Sequence, residues 1–399
     1  MQSFVALSCL LVASALPART LALVVEGDYI RVPLGSSTCN AFAYGAAGDG
    51  HTDDTKALQA AINACGKSGG TALLPSNGTF MSWGLTIPKT SGFALQVDGT
   101  LRFFTDTSKW PSSSSACIYF EEGSSQIALI GHGLVDGQGA AWWPCAKAGC
   151  FRPGLVTVQS AQELLIANLS FVNSPNHNLE LYATPFEVVG VSITAPDSVA
   201  ALPSHNTDGI DVHGNFAYIH DSHISVGDDH VAMHANDTLV SNCVFGTGHG
   251  LSIGSLGDGT YMQNITVRDS TMTGGAQAIR IKADTQSSGF LKDVVYTGLT
   301  LKDCNLTILI TSTYSAIEEL EAPAGGSSTL QIANVTFSDI TASGAQVAGQ
   351  IDCSPSAPCE QLVFDNIQHT APLPGQGWSC SNAHGVVTNV SPGLTCIQK

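Results

Sequence analysis

The sequence predicts an all-β chain wound as a single-stranded parallel β-helix, a solenoid with one strand-bearing unit per turn and a short capping helix near its N-terminal end. Three observations carry this expectation. Short apolar runs separated by Gly, Ser, Asn and Asp recur over most of the chain, which is the texture of strands and turns. Polar clusters recur at rung-like intervals: Asp228 follows Asp208 by 20 residues, His249 follows Asp229 by 20, and Arg280 follows His249 by 31. A period of roughly 20–30 residues beside short strands marks a repeat architecture. Finally, 41 of the 399 residues are Gly and only 12% are charged, which suits a turn-rich β protein better than a helical one.

Charge and hydropathy narrow the partners. The formal net charge is −17 and 44% of the residues are hydrophobic, enough apolar surface for a large core. A strongly acidic chain repels nucleic acid and anionic membranes, so neither is expected as a partner. An acidic substrate stays open, because local cations outweigh a distant field at short range. No Pro-rich linker or charge block divides the chain, so residues 23–399 are expected to form one domain and the protein to be a monomer.

The chain opens on a stretch that reads as a secretory signal over residues 1–22. Its apolar run from Phe4 to Ala13 is followed by small residues at Ser14, Ala15 and Ala18; the run is too short to span a bilayer. Cysteine usage agrees with export. Of 12 cysteines, losing Cys9 with the leader leaves an odd number. Close spacing suggests the pairs Cys39 with Cys65, Cys145 with Cys150, Cys353 with Cys359 and Cys380 with Cys396, leaving Cys117, Cys243 and Cys304 without an evident partner. Sequons at Asn77, Asn168, Asn236, Asn264, Asn305, Asn334 and Asn389 are glycosylation candidates in a eukaryotic host.

The helix is expected just after Asp49-Gly50. Thr52 or Asp53 is a plausible N-cap, and Ala57, Leu58, Ala61 and Ile62 form an apolar stripe at helical spacing. One amphipathic helix ahead of many strands makes sense as a lid on the open end of a solenoid. From Thr71 the texture is β. The runs Thr71 to Leu74, Ala94 to Val97 and Gln126 to Ile130 come first, and the clearest periodicity follows Leu164. There, apolar alternation ending in Asn or Asp recurs near Asn168, Asp221, Asn242, Asp269 and Asp339; polar side chains at solenoid corners bond the backbone or one another, so most of these are structural. Gly131-His132-Gly133 has no carboxylate pair beside it and reads as a turn.

The chemistry concentrates in Asn206-Thr207-Asp208-Gly209, Gly227-Asp228-Asp229, Gly248-His249-Gly250 and Arg280-Ile281-Lys282. On strands about 4.8 Å apart these clusters converge on one patch. Hydrolysis of a glycosidic bond needs one carboxyl to protonate the leaving oxygen and another to activate water or attack carbon. Crowded carboxylates supply both roles, because mutual repulsion raises one pKa. His249 would order or tune that proton. Arg280 and Lys282 flank Ile281 and so share a face, where they would neutralise substrate carboxylates or the Asp cluster itself. Each piece alone has a plainer reading: Asn-x-Asp-Gly is usually a turn, Asp-Asp a solvated edge, Arg-Ile-Lys an exposed strand. His220, His223, His230 and His234 raise the question of a metal, but strand alternation scatters them and no Cys-x-x-Cys accompanies them. No metal and no cofactor are expected.

Taken together, the four clusters resemble the signature of the polygalacturonases, glycoside hydrolase family 28. Tyr314, in Ile310-Thr311-Ser312-Thr313-Tyr314, matches a further substrate-site tyrosine of that family, and the similarity extends back to Tyr44–Gly50 and Val135–Gly139. The resemblance implies a right-handed parallel β-helix and inverting cleavage of α-1,4-linked galacturonic acid in pectin, outside the cell. It implies Asp228 as general acid, Asp208 and Asp229 as the pair that activates water, and His249 assisting the acid. Arg280, Lys282, Tyr314 and Asn206 would bind the sugar. Acid and base should then stand about 6.5–9.5 Å apart. Within this fold the rival is a rhamnogalacturonan or xylogalacturonan hydrolase; outside it, a β-helical carbohydrate-binding protein without turnover, or a calcium-dependent lyase. One departure stands out. Where the family often has Cys after Asp-Asp, this chain has His230, while Cys243, its expected bonding partner, is present.

Overall fold

The computed structural model describes residues 30, 32, 35–196, 203–314, 328–370 and 376–398; the stretch 1–22, expected from sequence to be a secretory leader, lies outside them. The chain winds as a right-handed parallel β-helix. Its strands stack in parallel in three columns. One column runs Leu179, Ile210, Val231, Leu251, Ile279, Ile308, each residue paired to the next. A second runs Phe186, Ala217, Thr238, Ile265, Val294, Val335, Leu362. The third runs Ile193, Ile224, Phe245, Met272, Leu301. These side chains are all buried, so identical positions on successive turns build one continuous apolar core. Inside it Tyr296, Phe337 and Phe364 stack with ring centres 5.7 and 5.2 Å apart.

The corner Asn and Asp residues hold the turns. Asn168, Asp221, Asn242, Asp269, Asp339, Asn366 and Asn389 all have φ between 49° and 60°, a left-handed conformation that Asn and Asp tolerate best after Gly. Side chains then link neighbouring turns: Asn366 Nδ2 donates to Asp339 Oδ1 at 2.7 Å and Asn389 Nδ2 to Asn366 Oδ1 at 2.9 Å. At the opposite end of the same strands Asn264 Nδ2 donates to Asp237 Oδ1 at 2.9 Å.

The capping helix α1 spans Thr55–Ser68 and buries Leu58, Ala61, Ile62 and Cys65 against the first strands. Its N-cap is Asp54, one residue beyond the position expected from sequence. The Asp54 carboxylate does not cap the helix; it accepts from the backbone N–H groups of Ala47 (2.6 Å) and Gly48 (3.1 Å). Asp53 caps locally instead, accepting from Thr55 N at 3.0 Å. Disulfides join Cys39–Cys65, Cys145–Cys150, Cys353–Cys359 and Cys380–Cys396, and Cys117, Cys243 and Cys304 are buried free thiols.

The structure directs His230 and Cys243 apart. The His230 ring packs edge-on against Phe245, at 5.3 Å between centres. Its Nε2 meets Gly246 O at 3.0 Å, and its Nδ1 accepts from Gly250 N at 3.2 Å. The Cys243 thiol instead lies 3.3 Å from Ser241 O. A neutral imidazole thus bridges two backbone groups beneath the site, and Cys243 is left as a free thiol, as the sequence leads one to expect. His230→Cys is accordingly predicted to remain a free thiol in the oxidised protein; a thiol titration showing a new bond to Cys243 would refute this.

Burial also pushes the pKa of His230 down to about 4, despite bonding to Gly246. A folded pKa below the unfolded value near 6.5 means the unfolded chain binds the proton more tightly. Stability from this group is therefore present above pH 6.5 and lost as pH falls toward 4, by up to about 3 kcal/mol. Melting temperature should decline across that window, and His230→Gln should flatten the decline.

Candidate active site

The first column carries the polar clusters on its outer side. Its apolar residues point into the core and their neighbours alternate outward. The pairing of Ile210 with Val231 and of Val231 with Leu251 sets Asp208, Asp229 and His249 in line on successive turns. The short polar motifs have local reasons. A Cβ on Gly209 would lie 2.4 Å from the His230 carbonyl oxygen, so only Gly fits after Asp208. Gly250 has φ 111° and faces the Gln277 carbonyl, which accounts for the Gly after His249. Thr207, fully buried, donates to Ser204 O at 2.7 Å and accepts from Gly227 N at 3.0 Å, clasping two turns beside the carboxylates.

Asp229 is the most enclosed member, 2% exposed. Its Oδ1 accepts from Arg280 NH1 at 2.9 Å and Ser252 Oγ at 2.7 Å, and its Oδ2 from Lys282 Nζ at 2.7 Å. Burial alone would raise its pKa; Lys282 and then Arg280 outweigh burial and hold the carboxyl well below the usual range. Arg280 and Lys282, 6% and 4% exposed, thus neutralise the Asp cluster. Nε of Arg280 is buried without a hydrogen-bond partner among the described residues.

Asp228 meets His249 Nδ1 at 3.1 Å and accepts from Asp229 N at 3.0 Å and Asn206 N at 3.3 Å. Burial opposes its charge, but the His249 contact wins and lowers its pKa; that of His249 rises, since the same contact outweighs burial. Asp208 behaves oppositely. Burial, then the charges of Asp228 and Asp211, push it well above the ordinary carboxylate range. Of the three carboxyls, Asp208 is thus the one whose surroundings most oppose its charge. One oxygen from each of Asp208, Asp228 and Asp229 lies within 4.8 Å of the others, closer than the separation expected from sequence. The physical reason is stacking: carboxylates on adjacent turns sit one strand spacing apart.

These groups line a cleft of about 530 Å³ that also holds Asn206 and Tyr314. Asn206 is exposed and its Oδ1 accepts from Arg152 NH2 at 2.8 Å, while Arg152 NH1 is tied to Pro175 O and His205 O. Lys282 Nζ stands 5.2 Å from the centre of the Tyr314 ring. All eight expected site residues thus meet in one cleft, whereas His132 is not among its lining residues. Of the four histidines that raised a metal, His234 lines the cleft, His230 lies below it, His223 is exposed, and His220 bonds Glu187 elsewhere.

Sequence reasoning missed other members of the lining, among them His177, Glu180, Tyr182, Asp211, His213 and His234. Tyr182, His213 and His234 stack face to face on consecutive turns, 4.2 and 5.0 Å between centres. Burial lowers the pKa of both imidazoles, that of His234 to about 4. Glu180 and Asp211 occupy outward positions between buried Leu179 and Leu181, and between buried Ile210 and Val212. That alternation was the signal available to find them.

Known proteins agree with this architecture. A model of the family described as glycosyl hydrolases family 28 matches residues 66–392. A polygalacturonase of Juniperus ashei is 30% identical over 370 residues, covering 87% of this chain and 71% of that protein. Among solved structures, a polygalacturonase from Erwinia carotovora superposes with a TM-score of 0.73 at 25% identity, covering 91% of this chain and 99% of the other. An endo-xylogalacturonan hydrolase from Aspergillus tubingensis reaches a TM-score of 0.75 at 23% identity, covering 89% and 99%, a likeness of fold. The chain belongs to glycosyl hydrolases family 28 and is a glycosidase.

Proposed function

We propose that the protein is an exported polygalacturonase that cleaves α-1,4-linked D-galacturonosyl bonds by single displacement with inversion. The observation that carries this reading is the full set of three carboxylates, His249, Arg280 and Lys282 within one cleft. Asp228 and His249 share a proton through their 3.1 Å contact. Substrate that excludes water penalises the ion pair, so the proton passes to Asp228, which delivers it to the leaving oxygen. Asp229 has both oxygens occupied by Arg280, Ser252 and Lys282, which makes it a poor nucleophile and a fixed acceptor for water. Asp208 takes the proton from that water. The anomeric carbon is then attacked by water and not by a carboxylate, which gives inversion. Arg280 and Lys282 bring positive charge to a polyanionic substrate in a chain of net charge −17, while Asn206 and Tyr314 position the sugar. No step calls for a metal.

Four disulfides support passage through an oxidising compartment and the leader at residues 1–22. If glycans are added, Asn77, exposed in a turn, is a better acceptor than Asn264 and Asn389, whose Nδ2 already donates within the corner ladders. Endo action is favoured over exo by the sequence around Gly248-His249-Gly250 and Thr313-Tyr314.

Product analysis on polygalacturonate with chelator present tests the reading. Saturated oligogalacturonides of mixed length are expected, appearing first as the inverted anomer by proton NMR. An unsaturated product absorbing in the ultraviolet would indicate a lyase. Galacturonic acid alone from the start would overturn endo action. Release from xylogalacturonan with none from polygalacturonate would move the substrate to the branched polymer.

A further inference from the structure

His177 lines the cleft on the side of Asp208 away from His249. Its Nδ1 is 2.9 Å from Asp211 Oδ2 and its Nε2 is 3.8 Å from Asp208 Oδ1. The backbone on either side of the ring is pinned. Its own carbonyl accepts from Leu155 N at 2.9 Å. The adjoining Asn178, fully buried, donates from Nδ2 to the carbonyls of Thr207 and Asp208, both at 3.1 Å. The imidazole is therefore presented to Asp208 by a rigid turn, with Asp211 fixing which nitrogen faces it. Asp228 has His249; Asp208 has His177.

We propose that His177, oriented by Asp211, is a positioning residue that opposes protonation of Asp208 so that it can take the proton from the attacking water. The inference rests on the reading of Asp208 as the base. That role needs support, because burial and the charges of Asp228 and Asp211 all favour protonated Asp208, and His177 is the cation opposing them. The groups that face His177 are Asp208, Asp211, Glu180 and His213. Burial works against its charge, and the carboxylates, Asp211 foremost, outweigh burial and raise its pKa. Arg152 adds a second positive charge toward Asp208 and Asp228 from the cleft rim.

The test is the pH profile of kcat on polygalacturonate for the full chain and for His177→Gln, with His177→Arg as the variant that keeps a cation. Losing a cation about 4 Å from a carboxylate should move the acidic limb up by roughly 1–2 pH units, and His177→Arg should restore most of it. A fall in kcat at every pH with the acidic limb unmoved would overturn the inference. Should His177→Gln fail to fold, the native protein still answers: NMR is expected to find the His177 ring cationic at pH 5–6, and a neutral ring there would overturn the inference. Titration of the Asp208 carboxyl carbon in native and variant protein reads the coupling apart from catalysis. Full activity in Asp208→Asn would remove the base reading and the inference with it; an inactive Asp208→Asn with an unmoved limb in His177→Gln would remove the inference alone.

Discussion

Asp228→Asn is expected to lower kcat on polygalacturonate by about 10³-fold or more, within the range for removing a general acid and equal to about 4 kcal/mol of barrier. Asn is nearly isosteric and its Oδ1 can still accept from Asp229 N, which now bonds Oδ1 of the carboxylate at 3.0 Å, while only the longer 3.3 Å contact of Asn206 N to Oδ2 is given up. Fold and cleft should therefore survive, and KM should change little. What is lost is the group that shares a proton with His249. In the native protein the high-pH limb of kcat should follow the Asp228–His249 pair as a unit, since two coupled groups titrate together. His249→Ala should thus shift that limb and lower kcat less than Asp228→Asn does. Should Asp228→Asn retain a tenth or more of native kcat, the acid lies elsewhere in the cluster.

Asp229→Asn is expected to damage both stability and activity. Native Asp229 compensates Arg280 and Lys282, neither more than 6% exposed, and removing one partner of a buried ion network typically costs about 3–5 kcal/mol. The melting temperature should fall by roughly 4–6 °C. Adding Lys282→Met should recover part of that loss while leaving the enzyme inactive, because it removes a stranded cation but restores no acceptor for water. If Asp229→Asn melts with the native protein, the network is hydrated and its charges do not depend on one another. The sign with pH follows from the depressed pKa of Asp229. Its contribution is present above the unfolded carboxylate value near 4 and fades as pH falls through the lower folded value. Acid destabilisation between pH 6.5 and 4 therefore belongs to buried imidazoles such as His230 and His234 and not to this triad.

How far the sequence could be read depended on whether a signal was local. The Asp, His, Arg and Lys clusters recur at the turn period, so their convergence followed from strand stacking alone. Close cysteine pairs were legible because short loops bring their ends together cheaply. His177 was not. It stands 31 residues before Asp208, in a stretch where Asn-His-Asn resembles any turn, and its partners Asp208 and Asp211 belong to the next turn of the column. The surroundings of His230 were hidden for a related reason: sequence counts residues along a strand but does not reveal which ring faces His230, and that ring is Phe245.

The sequence by itself determined the solenoid, its capping helix and the membership of the central site, because each follows from periodicity, composition and strand alternation, all of which are local properties. The tertiary structure alone decided the charges. It tied Arg280 and Lys282 to Asp229, set His249 against Asp228 and His177 against Asp208, and so gave three chemically identical carboxyls different proton affinities. Those affinities depend on burial and on distances of a few ångströms between residues on different turns, and strand spacing converts sequence period into distance only along the helix axis, not across the cleft.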